Sequence, residues 1–206
     1  MNSLYALVTL IVVIDPLSIV PFFVAVTRGL TEAELRRIAL RAPAIALGVL
    51  VVFALLGEAL LTALGISLAA FRIAGGALLF MLAIDMLFAR QSGLRSVTLR
   101  EDAEAMTRPD VTVFPLAIPL IAGPGALATV VLLMGRAPAL WPDKAVVLGL
   151  VVLVLGLVCA ALLLSRRLFR LLGVTGNNVI SRVLGIVLAA LAVQFVIDGV
   201  KAALAP

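Results

Sequence analysis

The sequence predicts an all-α membrane protein: six transmembrane helices set as a 3+3 inverted repeat, with spans one and four broken at proline pairs. Three observations predict it. Of 206 residues, 64% are hydrophobic and only 13% charged, with a mean hydropathy of +1.29; soluble domains are nearer half apolar and about a quarter charged. Two prolines five residues apart occur twice inside apolar segments, as PLSIVP at Pro16–Pro21 and PLIAGP at Pro119–Pro124. Several further features recur in the same order in the two halves.

Length allows about six spans of ~20 residues with short loops. Residues 1–206 form a single transmembrane domain: a first three-helix repeat at 1–90, a cytoplasmic connecting loop at 91–110, and a second repeat at 111–206. The formal charge of +5 would invite nucleic acid in a soluble protein. In a membrane chain, basic helix ends set topology and touch anionic lipid heads. The expected partner is therefore the lipid bilayer, and no nucleic acid. Cys159 is the single cysteine, so no internal disulfide is expected, and the absence of histidine removes the commonest metal ligand and general base.

Span one is expected at about 4–26. The opening MNSLYALVTLIVVID has no positive n-region and no small-residue cleavage pattern, and reads as the start of that span. A basic segment, 28–41, follows; within it Thr31 and Glu34 have the spacing of a capping box. Span two is expected at about 43–64, and LGIS at Leu64–Ser67 as a tight turn. Span three runs over about 69–89 with Arg72, Gly75, Gly76 and Asp85, and the long polar loop comes next. Span four, about 111–134, holds PLAIPLIAGPGALATV. Pro138, Trp141 and Pro142 suit a membrane interface. Span five covers about 145–164 and ends at Arg166, Arg167 and Arg170; LGVT at Leu172–Thr175 leads to span six, about 179–200.

The halves match in order. The proline pairs align at an offset of 103, Gly48 with Gly156 and LGIS with LGVT at 108, and Arg72-x-x-Gly75 with Arg182-x-x-Gly185 at 110. Ordered matches across three spans indicate a duplicated unit. A unit of three spans must re-enter from the opposite face, which gives an inverted repeat. Of the 16 Lys and Arg, 11 fall in the loops after spans one, three and five. The positive-inside rule puts those loops in the cytoplasm and both termini outside.

Proline removes a backbone donor and clashes with the preceding turn, so each pair should interrupt its helix. Lipid cannot satisfy freed backbone groups, and such interruptions persist only against protein or a wet cavity. Paired broken helices in matching halves are the best sequence pointer to a transport site. The candidate substrate-binding residues are therefore Asp15, Pro16, Ser18 and Pro21 in the first half, and Pro119, Ala122, Gly123, Pro124, Gly125 and Thr129 in the second. An ionisable residue at the depth of Asp15 costs about 2.5–3.5 kcal/mol on an insertion scale. Two compatible roles are open to it: capping the half-helix begun at Pro16, and carrying a proton. Ile118 takes the equivalent place in the second half. Free N–H groups at a half-helix start attract a carboxylate, and exposed carbonyls hold an ammonium, which together suit a small zwitterion. Glu58, Asp85, Gln194 and Asp198 read as interfacial: Asp85 within reach of Arg90, Asp198 beside Lys201, and Glu58 with Arg72 as a partner at the outer end. One central carboxylate without histidine is poor material for an intramembrane hydrolase. No catalytic residue, metal site or enzyme activity is expected.

IDPLSIVPFF, AGGALLFMLAIDMLFA and PLAIPLIAGPGALATV resemble the signature segments of the MarC family of bacterial and archaeal inner-membrane proteins. The resemblance covers essentially the whole chain. It implies a relation to LysE-type exporters and to a branch of small neutral amino-acid transporters. Many members carry Asn before the first proline, and Asp15 departs from that pattern. The expectation is then a multi-pass secondary transporter or exporter of the bacterial inner membrane, working by alternating access. A small neutral amino acid would bind between the broken helices at mid-depth. No cofactor is implied; coupling to protons, through Asp15, or to sodium ions is compatible with the residues, as is a homo-oligomer. The rival expectations are an ion or small-solute channel of the same architecture, and a non-transporting membrane protein that binds partners or lipid.

Overall fold

A computed structural model describes residues 3–88, 111–136 and 141–204, and every regular element among them is a helix. Five helical stretches are long and apolar enough to cross a membrane, and a bent pair of helices makes a sixth when counted as one span.

Helices α1 (Ser3–Ile14) and α2 (Ile19–Val26) follow one another over 24 residues. At 1.5 Å per residue that is about 36 Å, enough for a hydrocarbon core of ~30 Å. Gly29, at φ +84°, turns the chain toward Thr31. Thr31 caps α3 (Glu32–Ala63) in the reciprocal way its spacing predicts: the Glu34 N–H donates to Thr31 Oγ1 at 3.3 Å, and the Thr31 N–H to Glu34 Oε2 at 2.9 Å. The basic segment is not separate from span two. Leu35, Ile38, Ala39 and Ala42 are buried along one face, and the helix runs on through Pro43, so the segment joins one 32-residue helix.

Helix α3 ends in a Schellman motif. Gly65 takes φ +69°, the Ile66 N–H donates to the Leu61 carbonyl at 2.9 Å, and the Gly65 N–H to Thr62 at 3.0 Å. Ser67 then caps α4 (Leu68–Phe88), accepting from the Ala70 N–H at 3.1 Å. The connecting loop, including Arg90, lies outside the described residues.

Helix α5 (Thr112–Ile121) is wound in wide turns: the Leu116 N–H reaches the Val111 carbonyl at 3.4 Å, and Ala122 reaches Ala117 at 2.9 Å. Pro115 and Pro119 supply no N–H, and the residues before them, Phe114 and Ile118, are extended, as the prolyl ring demands of its predecessor. Helix α6 (Pro124–Arg136) leaves α5 at a 55° bend. Pro138 lies outside the described residues. Helix α7 (Trp141–Leu163) stops at Leu164, and α8 (Ser165–Leu204) follows at once. LGVT is a kink inside α8, with Gly173 at φ +60°.

Helix α6 is buried on nearly every side, from Gly125 to Met134 apart from half-buried Leu127. It packs with α1 among α3, α4 and α7. The outer faces of the surrounding helices are apolar and open: Leu56, Val152 and Val183 are each more than half exposed. That is the surface lipid covers, since acyl chains are as apolar as leucine.

The most extensive helix contact is between α4 and α8, one from each half. They run antiparallel. Gly76 lies against Ala192 and Val196, Gly185 against Ala83 and Met86, and Gly199 against Ala69 and Ile73. A Cβ on Gly76 would come within 2.8 Å of the Ala192 carbonyl oxygen. The missing side chains are what let the two backbones approach.

Two ion pairs mark the opposite ends of the bundle. Glu32, at the start of α3, pairs with Arg166 of α8. Arg136, at the end of α6, pairs with Asp198 near the end of α8, beside Tyr5 at the start of α1. Asp198 is thus joined to Arg136 across the bundle and to Gln194 one turn back on its own helix, rather than to Lys201, which is exposed. The charges facing Arg72 are those of Arg136 and Asp198, not Glu58, which is exposed.

Candidate functional site

The helical ladder of α1 stops at Asp15, whose N–H still donates to the Ile11 carbonyl at 2.8 Å. Asp15 itself sits at φ +47°, a left-handed conformation that Asp and Asn tolerate better than other residues with a Cβ. Pro16, which cannot extend the ladder, follows directly and is buried. The Asp15 carboxylate then serves the next segment. Its Oδ1 accepts from the Ser18 N–H at 3.3 Å, three residues on, and its Oδ2 accepts from the Ser18 hydroxyl. The carboxylate thus closes the turn at 16–18 that leads into α2; the helix starts at Ile19, not at Pro16, so Asp15 caps the turn ahead of the helix rather than the helix itself. Asp15 is 0% exposed, so both contacts are made away from water, where such bonds are electrostatically stronger.

Ser18 extends the network across the bundle. Its Oγ lies 2.7 Å from Ser181 Oγ of α8. A buried carboxylate, a hydroxyl and a second hydroxyl from the other half form one hydrogen-bonded chain. Sequence reasoning missed Ser181: a lone serine in an apolar span carries no signal, and at the repeat offset of 110 its counterpart is Phe71. Pro21 lies in α2 beyond the interruption, half-buried.

At the second interruption, Ala122 is buried and Pro119 half-buried. Gly123 has to be glycine, since a Cβ there would sit 2.5 Å from the Pro119 carbonyl oxygen. The Gly123 carbonyl accepts the first bond of α6, from the Leu127 N–H at 3.0 Å. Pro124 occupies the first helical position, where its missing N–H is no loss. The N–H groups of Gly125 and Ala126 precede that first bond and are the donors a helix start leaves without an intrahelical acceptor. Thr129, one turn later, is 0% exposed, and its Oγ1 has no hydrogen-bond partner.

The two interruptions are neighbours. A Cβ on Gly125 would lie 3.6 Å from Val13 Cγ1, two residues before Asp15, and 3.0 Å from Leu79 of α4. The first turn of α6 is therefore seated beside the end of α1. The first interruption is rich in acceptors, through Asp15 and Ser18. The second is rich in donors, through the start of α6, whose partial positive charge adds to the effect. Among the described residues no cluster of side chains could hold a metal ion.

A family model described as "MarC family integral membrane protein" matches residues 2–204. A UPF0056 membrane protein of Aquifex aeolicus is 35% identical over 196 residues, 95% of this chain and 91% of its own. A UPF0056 membrane protein of Methanocaldococcus jannaschii is 33% identical, with 93% and 92% covered. The UPF0056 membrane protein YvbG of Bacillus subtilis is 34% identical, with 96% and 93% covered. No solved structure matches the chain at a significant level.

Proposed function

The chain belongs to the MarC family of integral membrane proteins, and we propose that it is a secondary carrier of small neutral amino acids. The observation that carries the proposal is the seating of Gly125, in the first turn of α6, against Val13 at the end of α1. It supports the reading by bringing the start of α6 to a point two residues along the chain from Asp15. A zwitterion would offer its carboxylate to the N–H groups of Gly125 and Ala126, and its ammonium to the Asp15–Ser18 side. Pro16, Pro21, Pro119, Ala122, Gly123 and Pro124 shape the two interruptions, and Thr129 adds a hydroxyl. No catalytic step belongs to this reading.

We read the architecture as a 3+3 inverted repeat with spans one and four broken at their prolines. Three features support it. Helices α4 and α8, the third spans of the two halves, lie antiparallel. LGIS and LGVT both place their glycine at positive φ, +69° and +60°. The helix interruptions fall in the first span of each half. With the basic loops inside, the Glu32–Arg166 end faces the cytoplasm, and the Arg136–Asp198 end and both termini face outward. An open cleft of about 390 Å³ between α3 and the start of α5, lined by Arg41, Ala44, Ile45, Thr112 and Val113, lies toward the same end as Glu32 and Arg166. Rocking of one half against the other would expose the site alternately. The chain Asp15–Ser18–Ser181 gives a proton a route between halves, which favours proton over sodium coupling.

Uptake of radiolabelled alanine into proteoliposomes tests the proposal. Saturable uptake above empty liposomes, raised by an imposed proton gradient, is expected. Absence of flux for alanine, glycine and serine under both proton and sodium gradients would remove the carrier reading.

A further inference from the structure

At the end of the bundle marked by Arg136 and Asp198, four helices bring together two guanidinium groups and one carboxylate. Arg136 pairs with Asp198 through Nη2, while its Nη1 donates to the Tyr5 hydroxyl at 3.4 Å. Its guanidinium carbon lies 5.7 Å from the Tyr5 ring centre and 5.5 Å from that of Phe195. Two aromatic faces thus fix the cation in place. The second carboxylate oxygen of Asp198 is engaged as well, accepting from Gln194 Nε2 at 2.6 Å. Arg72, near the start of α4, shares this end of the bundle: Gly199, next to Asp198, lies against Ala69 and Ile73 on either side of Arg72, and the charges of Arg136 and Asp198 act on it. Its Nε is closed off from solvent and has no hydrogen-bond partner among the described residues.

Two cations and one fully engaged anion leave the cluster short of one negative charge. A guanidinium partly withdrawn from water without an oxyanion is costly. Its planar fork also fits a carboxylate or phosphate through two parallel bonds, which an ammonium cannot offer. We propose that this cluster is a binding site for one small oxyanion, a carboxylate or a phosphate group, held by Arg72 beside the Arg136–Asp198 pair. The same chemistry has two sources at a membrane surface: a free solute carboxylate or phosphate, and the headgroup of an anionic phospholipid. The site lies at the far end of α6 from Gly125, and the proposal does not depend on the transport reading.

The test uses the purified full chain in an uncharged detergent. Thermal unfolding is followed against sodium acetate, L-alanine and sodium phosphate, with sodium chloride at matched ionic strength as the reference. Native mass spectrometry of protein from mixed phosphatidylglycerol and phosphatidylcholine bilayers reports the lipid retained. A Tm raised by about 3–6 °C at tenfold excess over Kd, and abolished by Arg72→Gln, is the expected result for a free oxyanion. One phosphatidylglycerol kept in preference to phosphatidylcholine by the parent chain, and not by Arg72→Gln, is the expected result for a lipid. If the glutamine variant does not fold, Arg72→Lys keeps the charge without the fork, and at least a tenfold loss of affinity is expected. The proposal is overturned if neither assay shows an oxyanion preference, or if the preference survives the substitution at Arg72.

Discussion

Between Ile14 and Ile19 the helix is interrupted around a carboxylate; between Ile121 and Pro124 it is interrupted around glycine and proline. The proline spacing is the same in both places. At the first, the backbone freed by Pro16 is met by a side chain, since Asp15 accepts from the Ser18 N–H. At the second, Ile118 replaces the aspartate, and the chain relies on close backbone approach, with Gly123 under the Pro119 carbonyl. The difference shows two ways of keeping a helix break in lipid: supply an acceptor from a side chain, or remove side chains so that backbone meets backbone. It also divides the polarity, with side-chain acceptors at one break and helix-start donors at the other.

The sharpest way to break the comparison is at Gly123. Gly123→Val sets a branched side chain against a backbone carbonyl that cannot yield. A loss of stability at the upper end of ~1–3 kcal/mol is expected from thermal unfolding, with alanine flux reduced at least tenfold. An unchanged Tm and flux would mean that close approach does not hold the second break. Next comes Asp15. Asp15→Ala removes the cap and should cost about 1–2 kcal/mol. Asp15→Asn keeps an acceptor for the Ser18 N–H and should cost much less. Its flux, however, should lose its response to a proton gradient if the carboxylate carries the proton. Equal behaviour of the two variants in unfolding and in flux would deny the carboxylate any role beyond capping.

Ser181→Ala tests whether the first interruption extends across the bundle. Loss of the hydrogen bond to Ser18 predicts a cost of about 0.5–1.5 kcal/mol and a lower proton-driven flux. A flux equal to that of the parent chain would confine the proton route to one half. The smallest effect is reserved for a control. A Cβ on Gly48 would meet nothing within 4 Å, so Gly48→Ala should stabilise α3 by under ~1 kcal/mol and leave flux intact. Destabilisation there would mean that glycine matters in these helices for reasons other than close approach.

Much of this was legible in the chain, because the signals are local. The Thr31–Glu34 box and the glycine of LGIS each act within one or two turns, and each is found where its spacing predicts. The residues that meet across the bundle were not legible. Arg136 and Asp198 are 62 residues apart, and Ser18 and Ser181 are 163 apart. For Asp198 the sequence suggested a neighbour on its own helix, Lys201, since nearby partners are the only ones spacing can propose. The long α3 was divided because its first three turns are charged. That charge lies on the outward face, while Leu35, Ile38 and Ala42 carry the inward face on without interruption.

The α4–α8 contact sets a limit on how the molecule can rearrange. Three glycines seat against the opposing helix at intervals along it; an added methyl group would collide at Gly76 and Gly199 and press tightly at Gly185. Two rods meshed in that way resist sliding past each other and are far freer to roll about their common line. Helices α4 and α8 therefore form a spine to which α1, α2, α6 and α7 are fastened.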